Sequence, residues 1–199
     1  MIEENENTIF LRTGERFVVK DRESGSRAIM PIIVDDEYKV GVVKVDNGII
    51  NNVKNRERAC DYMLISEGKS EKIVCMIELK GTDSEKEISH AYNQISQSID
   101  RVSEIYLKES DYVIATIAGA QDKTLPSMIT KEKRNLCKKL FSRSKIKVKD
   151  MDKLVFYVQP DVRTKKAYIN KNKRPRVIEC HSKNGADIPV PTMLLEALK

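Results

Sequence analysis

The chain has 199 residues, enough for one domain with a substantial core, and is 40% hydrophobic and 33% charged. No apolar run approaches the roughly 20 residues that cross a bilayer, and the acidic start MIEENENTIF is unlike a signal peptide, so neither a membrane protein nor a secreted one is expected. Four cysteines (Cys60, Cys75, Cys137, Cys180) without a CxxC pair or a disulfide spacing fit a reducing, cytoplasmic setting, and nothing completes a zinc set around Cys180-His181.

In chain order, the first fifty residues predict short β elements: RFVVK, AIMPIIVDD, YKVGVVKVD and GIINNV, separated by turn signals such as ESGS and Asp46-Asn47-Gly48. The runs ACDYMLIS and KIVCMIELKG, joined by a polar turn around Gly68-Lys69, read as an antiparallel hairpin. From Asp83 to Leu107 the period becomes helical, with Ile88, Ala91, Tyr92, Ile95, Ile99, Val102 and Tyr106 on one stripe and Asp83 or Ser84 as cap. DYVIATIAG is then a strand buried on both faces. A basic helix follows over Lys131 to Phe141, then the strand KLVFYVQP, and KAYI with RVIEC form a last hairpin. The result is a single mixed α/β domain over residues 1–199, with a β-rich part (1–58), a core (59–160) and a basic extension (161–199).

The net charge of +6 is unevenly spread. Nine Lys/Arg face one acid between Lys131 and Lys149, and seven face none between Arg163 and Arg176. Such clustering fits a polyanion, because each Lys or Arg placed on a phosphate releases condensed counterions. A solvated, solubilising surface gives the same composition, so charge alone leaves the question open.

The hairpin carries the chemistry. In Glu78-Leu79-Lys80 two charges flank one Leu and point the same way from a strand. A turn centred on Gly68-Lys69 sets Asp61 opposite Met76 and diagonal to Glu78. A turn centred one residue later sets Asp61 against Glu78, and the intermediate register puts them on opposite faces. Carboxylates sharing a face repel unless a cation lies between them or one holds a proton. Oxygen ligands of this kind suit Mg²⁺ or Mn²⁺. With Lys80 alongside to orient or deprotonate a water and to stabilise a pentacovalent phosphate, these are the minimum parts for metal-dependent phosphodiester hydrolysis. A surface ion pair at strand ends is the plainer reading of the same letters.

CDYMLI, then IELKG, a helix and the strand DYVIATIAG, over about a third of the chain, resemble the PD-(D/E)XK nuclease superfamily of restriction endonucleases, resolvases and repair nucleases. The resemblance implies a restriction-endonuclease-like fold, a central mixed β-sheet flanked by helices. It makes Asp61 the motif's Asp, Glu78 and Lys80 its Glu and Lys, and the Leu79 carbonyl a further metal ligand beside Asp61 and Glu78. The motif's usual Pro is Cys60 here, and an upstream acidic ligand has only Glu57 and Glu15 as candidates. Some members carry a Gln with a Tyr four residues later; Gln94 fits the first, while Ser98 occupies the second position.

Gln94 lies on a polar stripe with Asp83, Glu87, His90 and Gln97 and is expected to hydrogen-bond a catalytic group or a phosphate. Arg56 and Arg58 are candidates to hold phosphates flanking the cut. Lys138, Lys139, Arg143, Lys165, Lys166, Lys171, Lys173, Arg174 and Arg176 are electrostatic candidates for nucleic-acid binding. Without tryptophan, phosphate contact and duplex shape are expected over base stacking. The expected activity is therefore a Mg²⁺-dependent endonuclease on double-stranded DNA, of restriction, defence or repair type; two copies as a homodimer would cut both strands. The alternatives are a non-catalytic nucleic-acid-binding module of the same fold, a nuclease subunit needing a partner, and, least supported, a thiol enzyme pairing Cys60 or Cys75 with His90.

Overall fold

The computed structural model describes residues 5–20, 28–35, 37–50, 58–81, 84–119, 130–161, 167–170, 177–181 and 187–199. Eight strands form one mixed sheet. Its antiparallel half holds β1 (Thr8–Leu11), β4 (Lys39–Lys44), β5 (Tyr62–Glu67) and β6 (Lys72–Lys80), side by side in that order. From β6 the pairing turns parallel, through β7 (Tyr112–Gly119), β8 (Val155–Asp161) and β10 (Val177–His181), and β9 (Ala167–Asn170) closes the edge antiparallel to β10. A smaller sheet sets β3 (Ile29–Val34) between β2 (Arg16–Lys20) and β11 (Ile188–Val190). It packs against β7 and β8 through β3. This is the expected mixed sheet flanked by helices.

Parallel neighbours require long crossovers, and helices supply them. Between β6 and β7 runs α1 (Glu85–Val102), capped by Ser84, whose hydroxyl accepts the Glu87 N–H. Its stripe of Ile88, Ala91, Tyr92, Ile95, Ile99 and Val102 is buried as the period predicts. The helix stops short of Leu107, with Ser103 at its C-terminal end donating its hydroxyl to the Asp100 carbonyl. Asp83, the other candidate cap, lies outside the described residues. Between β7 and β8 runs α2 (Lys131–Arg143), ended by Ser144, whose N–H and hydroxyl both donate to the Leu140 carbonyl. The Ser144 hydroxyl also accepts the Val113 N–H, so the end of α2 is fastened at the start of β7.

Four elements escaped the sequence reading: β1, a 3-10 turn over Met151–Leu154 that takes the first two residues of the expected strand KLVFYVQP, β11 and the terminal α3 (Thr192–Leu198). The described part of the expected strand GIINNV, Gly48 to Ile50, belongs instead to a tight turn with Asn47 at φ 48°, and the rest of it lies outside the described residues. A Cβ on Gly48 would lie 2.2 Å from the Lys44 carbonyl oxygen, so the turn admits only glycine there. Among the described residues no helix is long and apolar enough to cross a membrane.

The hairpin register decides the site. Tyr62 pairs with Ile77 and Glu67 with Lys72, so the turn spans Gly68 to Glu71, closed by the Gly68 N–H donating to the Glu71 carbonyl. This is the register centred one residue later than Gly68-Lys69. One step beyond Tyr62, it carries Asp61 to Glu78 and away from Met76. Because β6, β7, β8 and β10 are parallel, their C-terminal ends lie at one end of the sheet, where the hairpin also opens.

Candidate active site

Asp61, Glu78 and Lys80 meet. Asp61 precedes β5 and its Oδ2 accepts the Leu79 N–H at 2.7 Å, crossing from one limb of the hairpin to the other. Glu78 and Lys80 both stand on the last turn of the β6 pleat, 2% and 9% exposed, and Lys80 Nζ lies 2.7 Å from Glu78 Oε1. Burial of both charges is what separates this arrangement from a surface ion pair.

The partners are incomplete in an informative way. Glu78 Oε2 is buried with no hydrogen-bond partner among the described residues. The Glu78 carboxyl is pushed up to about 8, first by burial and then by the Asp61 charge, while Lys80 and the Asp61 backbone N–H pull it partly back. Without a further cation the pair is therefore held by keeping a proton on Glu78 at neutral pH. A divalent ion would replace that proton and give Oε2 a partner. Two carboxylates, with substrate phosphate and water, are a donor set of the kind Mg²⁺ takes. Among the described residues no three of His, Cys, Asp and Glu gather into a cluster, so the carboxylate pair and the Leu79 carbonyl are the candidates.

Gln94 from α1 ties the motif together. Its Oε1 accepts from Lys80 Nζ at 2.8 Å, and its Nε2 donates to the Ala59 carbonyl at 3.2 Å, two residues before Asp61. Ser98 sits one turn further on, fully buried; its hydroxyl accepts the Cys60 N–H at 2.8 Å and donates to the Gln94 carbonyl at 2.9 Å. That supporting role was missed in the sequence, although the i, i+4 spacing from Gln94 was there to find it. On the same face Glu87 Oε2 lies 3.9 Å from Lys80 Nζ, and Glu87 Oε1 is 3.9 Å from His90 Nδ1. Gln97 is exposed.

The remaining candidates divide. Arg58 is exposed three residues before Asp61, whereas Arg56 and Glu57 lie outside the described residues, as do Lys165, Lys166, Lys171, Lys173, Arg174 and Arg176. Lys138 and Arg143 are exposed on α2, but the helix runs away from the end of the sheet that carries Asp61 and Glu78, so Arg143 is at the far end. Lys139 is committed to Asp100 and the Ser96 carbonyl and bolts α2 to α1. Glu15 accepts the Arg12 N–H at the start of β2, the far end of that strand from Lys20 and Tyr62, and does not join the site. Burial raises the Cys60 thiol well above its ordinary value and pushes Cys75 up to about 12, so both are held as neutral thiols in the core.

No protein-family model matches this chain, and no curated protein or solved structure matches it either.

Proposed function

We propose that the cluster is the active centre of a metal-dependent nuclease of the PD-(D/E)XK type, an endonuclease that hydrolyses phosphodiester bonds of double-stranded DNA in the cytoplasm in restriction, defence or repair. The observation that carries this reading is that Glu78, buried beside Lys80 and across the hairpin from Asp61, keeps an Oε2 without a hydrogen-bond partner among the described residues. A carboxylate oxygen without a partner at this depth is costly unless it has a ligand to hold.

Asp61, Glu78 and the Leu79 carbonyl would hold Mg²⁺ or Mn²⁺, which when bound neutralises phosphate charge and makes water more acidic. Lys80 has three N–H donors; with Glu78 and Gln94 as acceptors for two, a third remains for a phosphate oxygen as negative charge develops. Gln94 keeps that ammonium in place and holds the backbone leading to Asp61, so both limbs move as one unit. A single such centre cuts one strand, and a homodimer would bring two to a duplex.

The purified protein would be incubated with circular DNA, linear DNA and RNA in Mg²⁺, Mn²⁺ or EDTA, with Glu78→Ala beside it. Cleavage of DNA that needs the metal and is lost in the variant is the expected result. Salt-sensitive binding without cleavage of any substrate would mean a binding module or a missing partner subunit, and cleavage unchanged in the variant would refute the site.

A further inference from the structure

Tyr62 alternates with Asp61 along the hairpin and so leaves the sheet on the opposite face. There its hydroxyl donates to the Lys20 carbonyl at 3.2 Å, pinning the last residue of β2, and with it the smaller sheet, to the strand that begins beside Asp61. Lys20 is exposed, and so is Arg58, which precedes Asp61 by three residues. Neither has an ion-pair partner among the described residues. Lys20 and Arg58 are thus among the exposed cations at this end of the sheet, one on each layer.

We propose that Lys20 and Arg58 hold backbone phosphates of the nucleic acid flanking the scissile bond, so that the smaller sheet is part of the substrate interface. The proposal rests on the nuclease reading and adds to it which surface the substrate covers. Packed sheets lie about 10 Å apart. Lys20 stands on the face opposite Lys80, so the span between them exceeds that spacing and takes several phosphate steps at about 3.4 Å of axial rise each. A strand lying across the sheet end therefore reaches Lys20 while its scissile phosphate is over Lys80. The cations toward the C-terminal end of α2 lie away from this path, at the other end of the sheet.

The test is binding of a labelled 25-base-pair duplex in a salt series, in the Glu78→Ala background so that nothing is cut. Lys20→Ala and Arg58→Ala are each expected to flatten the slope of log K against log salt by about 0.9 and to weaken binding about fivefold at 150 mM salt. Lys20→Arg is expected to restore the slope, and Lys108→Ala, in the connection that follows α1, to leave it unchanged. An unchanged slope in Lys20→Ala would overturn the inference while leaving the nuclease reading intact, because that reading fails on a different result, the absence of metal-dependent cleavage by the wild-type chain. Absence of salt-dependent binding altogether would overturn the inference as well.

Discussion

Glu78→Gln keeps the shape of the side chain and removes its titration, which makes it the sharpest probe of the site. Moving the Glu78 carboxyl from its ordinary 4.5 to about 8 corresponds to about 5 kcal/mol against the ionised form. The raised value means the folded chain keeps a proton that the unfolded chain has already released. Stability from this group is therefore complete below about pH 4.5, falls as pH rises towards 8, and levels off above that, where both states are ionised. Urea unfolding in EDTA at pH 5, 7 and 9 should show wild type losing about 4 kcal/mol relative to Glu78→Gln across that range, because the first part of the loss falls below pH 5. In Mg²⁺ the wild type at pH 9 should regain about 3 kcal/mol at a hundredfold excess over Kd, and the variant should gain far less. Parallel pH profiles for the two proteins would refute the burial argument. Equal stabilisation by Mg²⁺ would refute the assignment of Glu78 as ligand.

Gln94→Leu should lower cleavage by about 100-fold, because Lys80 and the Ala59 backbone lose their common tether, while the Tm by calorimetry falls by only a few degrees. Ser98→Ala leaves the buried Cys60 N–H unpaired and should cost about 1–3 kcal/mol in urea unfolding, with cleavage reduced in step. Gly48→Ala should destabilise the chain by more than about 2 kcal/mol, since the added Cβ meets the Lys44 backbone and not a movable side chain. In the native protein Cys60, Cys75 and Cys137 should resist a thiol reagent and react together only on unfolding, followed by absorbance of the released thiolate.

The elements legible in the sequence were those whose period is set by one dominant burial pattern. The α1 stripe repeats every three to four residues and is read directly, as is the unbroken apolar run of β7 at the centre of the sheet. The elements that escaped are short or lie at an edge: β1 has four residues and β11 three, and each is defined by its partner strand more than by its own letters. β11 contains Pro189 and pairs in parallel with β3, more than 150 residues earlier in the chain; no local pattern carries such a contact. GIINNV misled for the opposite reason. Its apolar letters suit a strand, but Gly48 sits where only a backbone without Cβ fits, so the turn at Asn47-Gly48 claims Ile49 and Ile50.

The site was legible as a choice and not as an answer. Composition and alternation put Glu78 and Lys80 on one face, but whether Asp61 joined them depended on a shift of one residue in a turn whose letters, Gly68-Lys69-Ser70-Glu71, permit several centres. What selects the register is tertiary. Gly68 lies against the Tyr38 ring, where a Cβ would come within 2.4 Å, and the Gly68 N–H closes on the Glu71 carbonyl. The same logic applies to the charges. No sequence pattern distinguishes an exposed Glu-Leu-Lys from one whose Glu is sealed by the neighbouring strands, yet only the sealed form has a carboxyl raised to about 8 and an oxygen left without a partner. The unusual state of this carboxyl thus comes from burial imposed on ordinary letters. A register slip that turned Asp61 to the other face would leave every one of those letters in place and remove the carboxylate pair on which the proposed metal site depends.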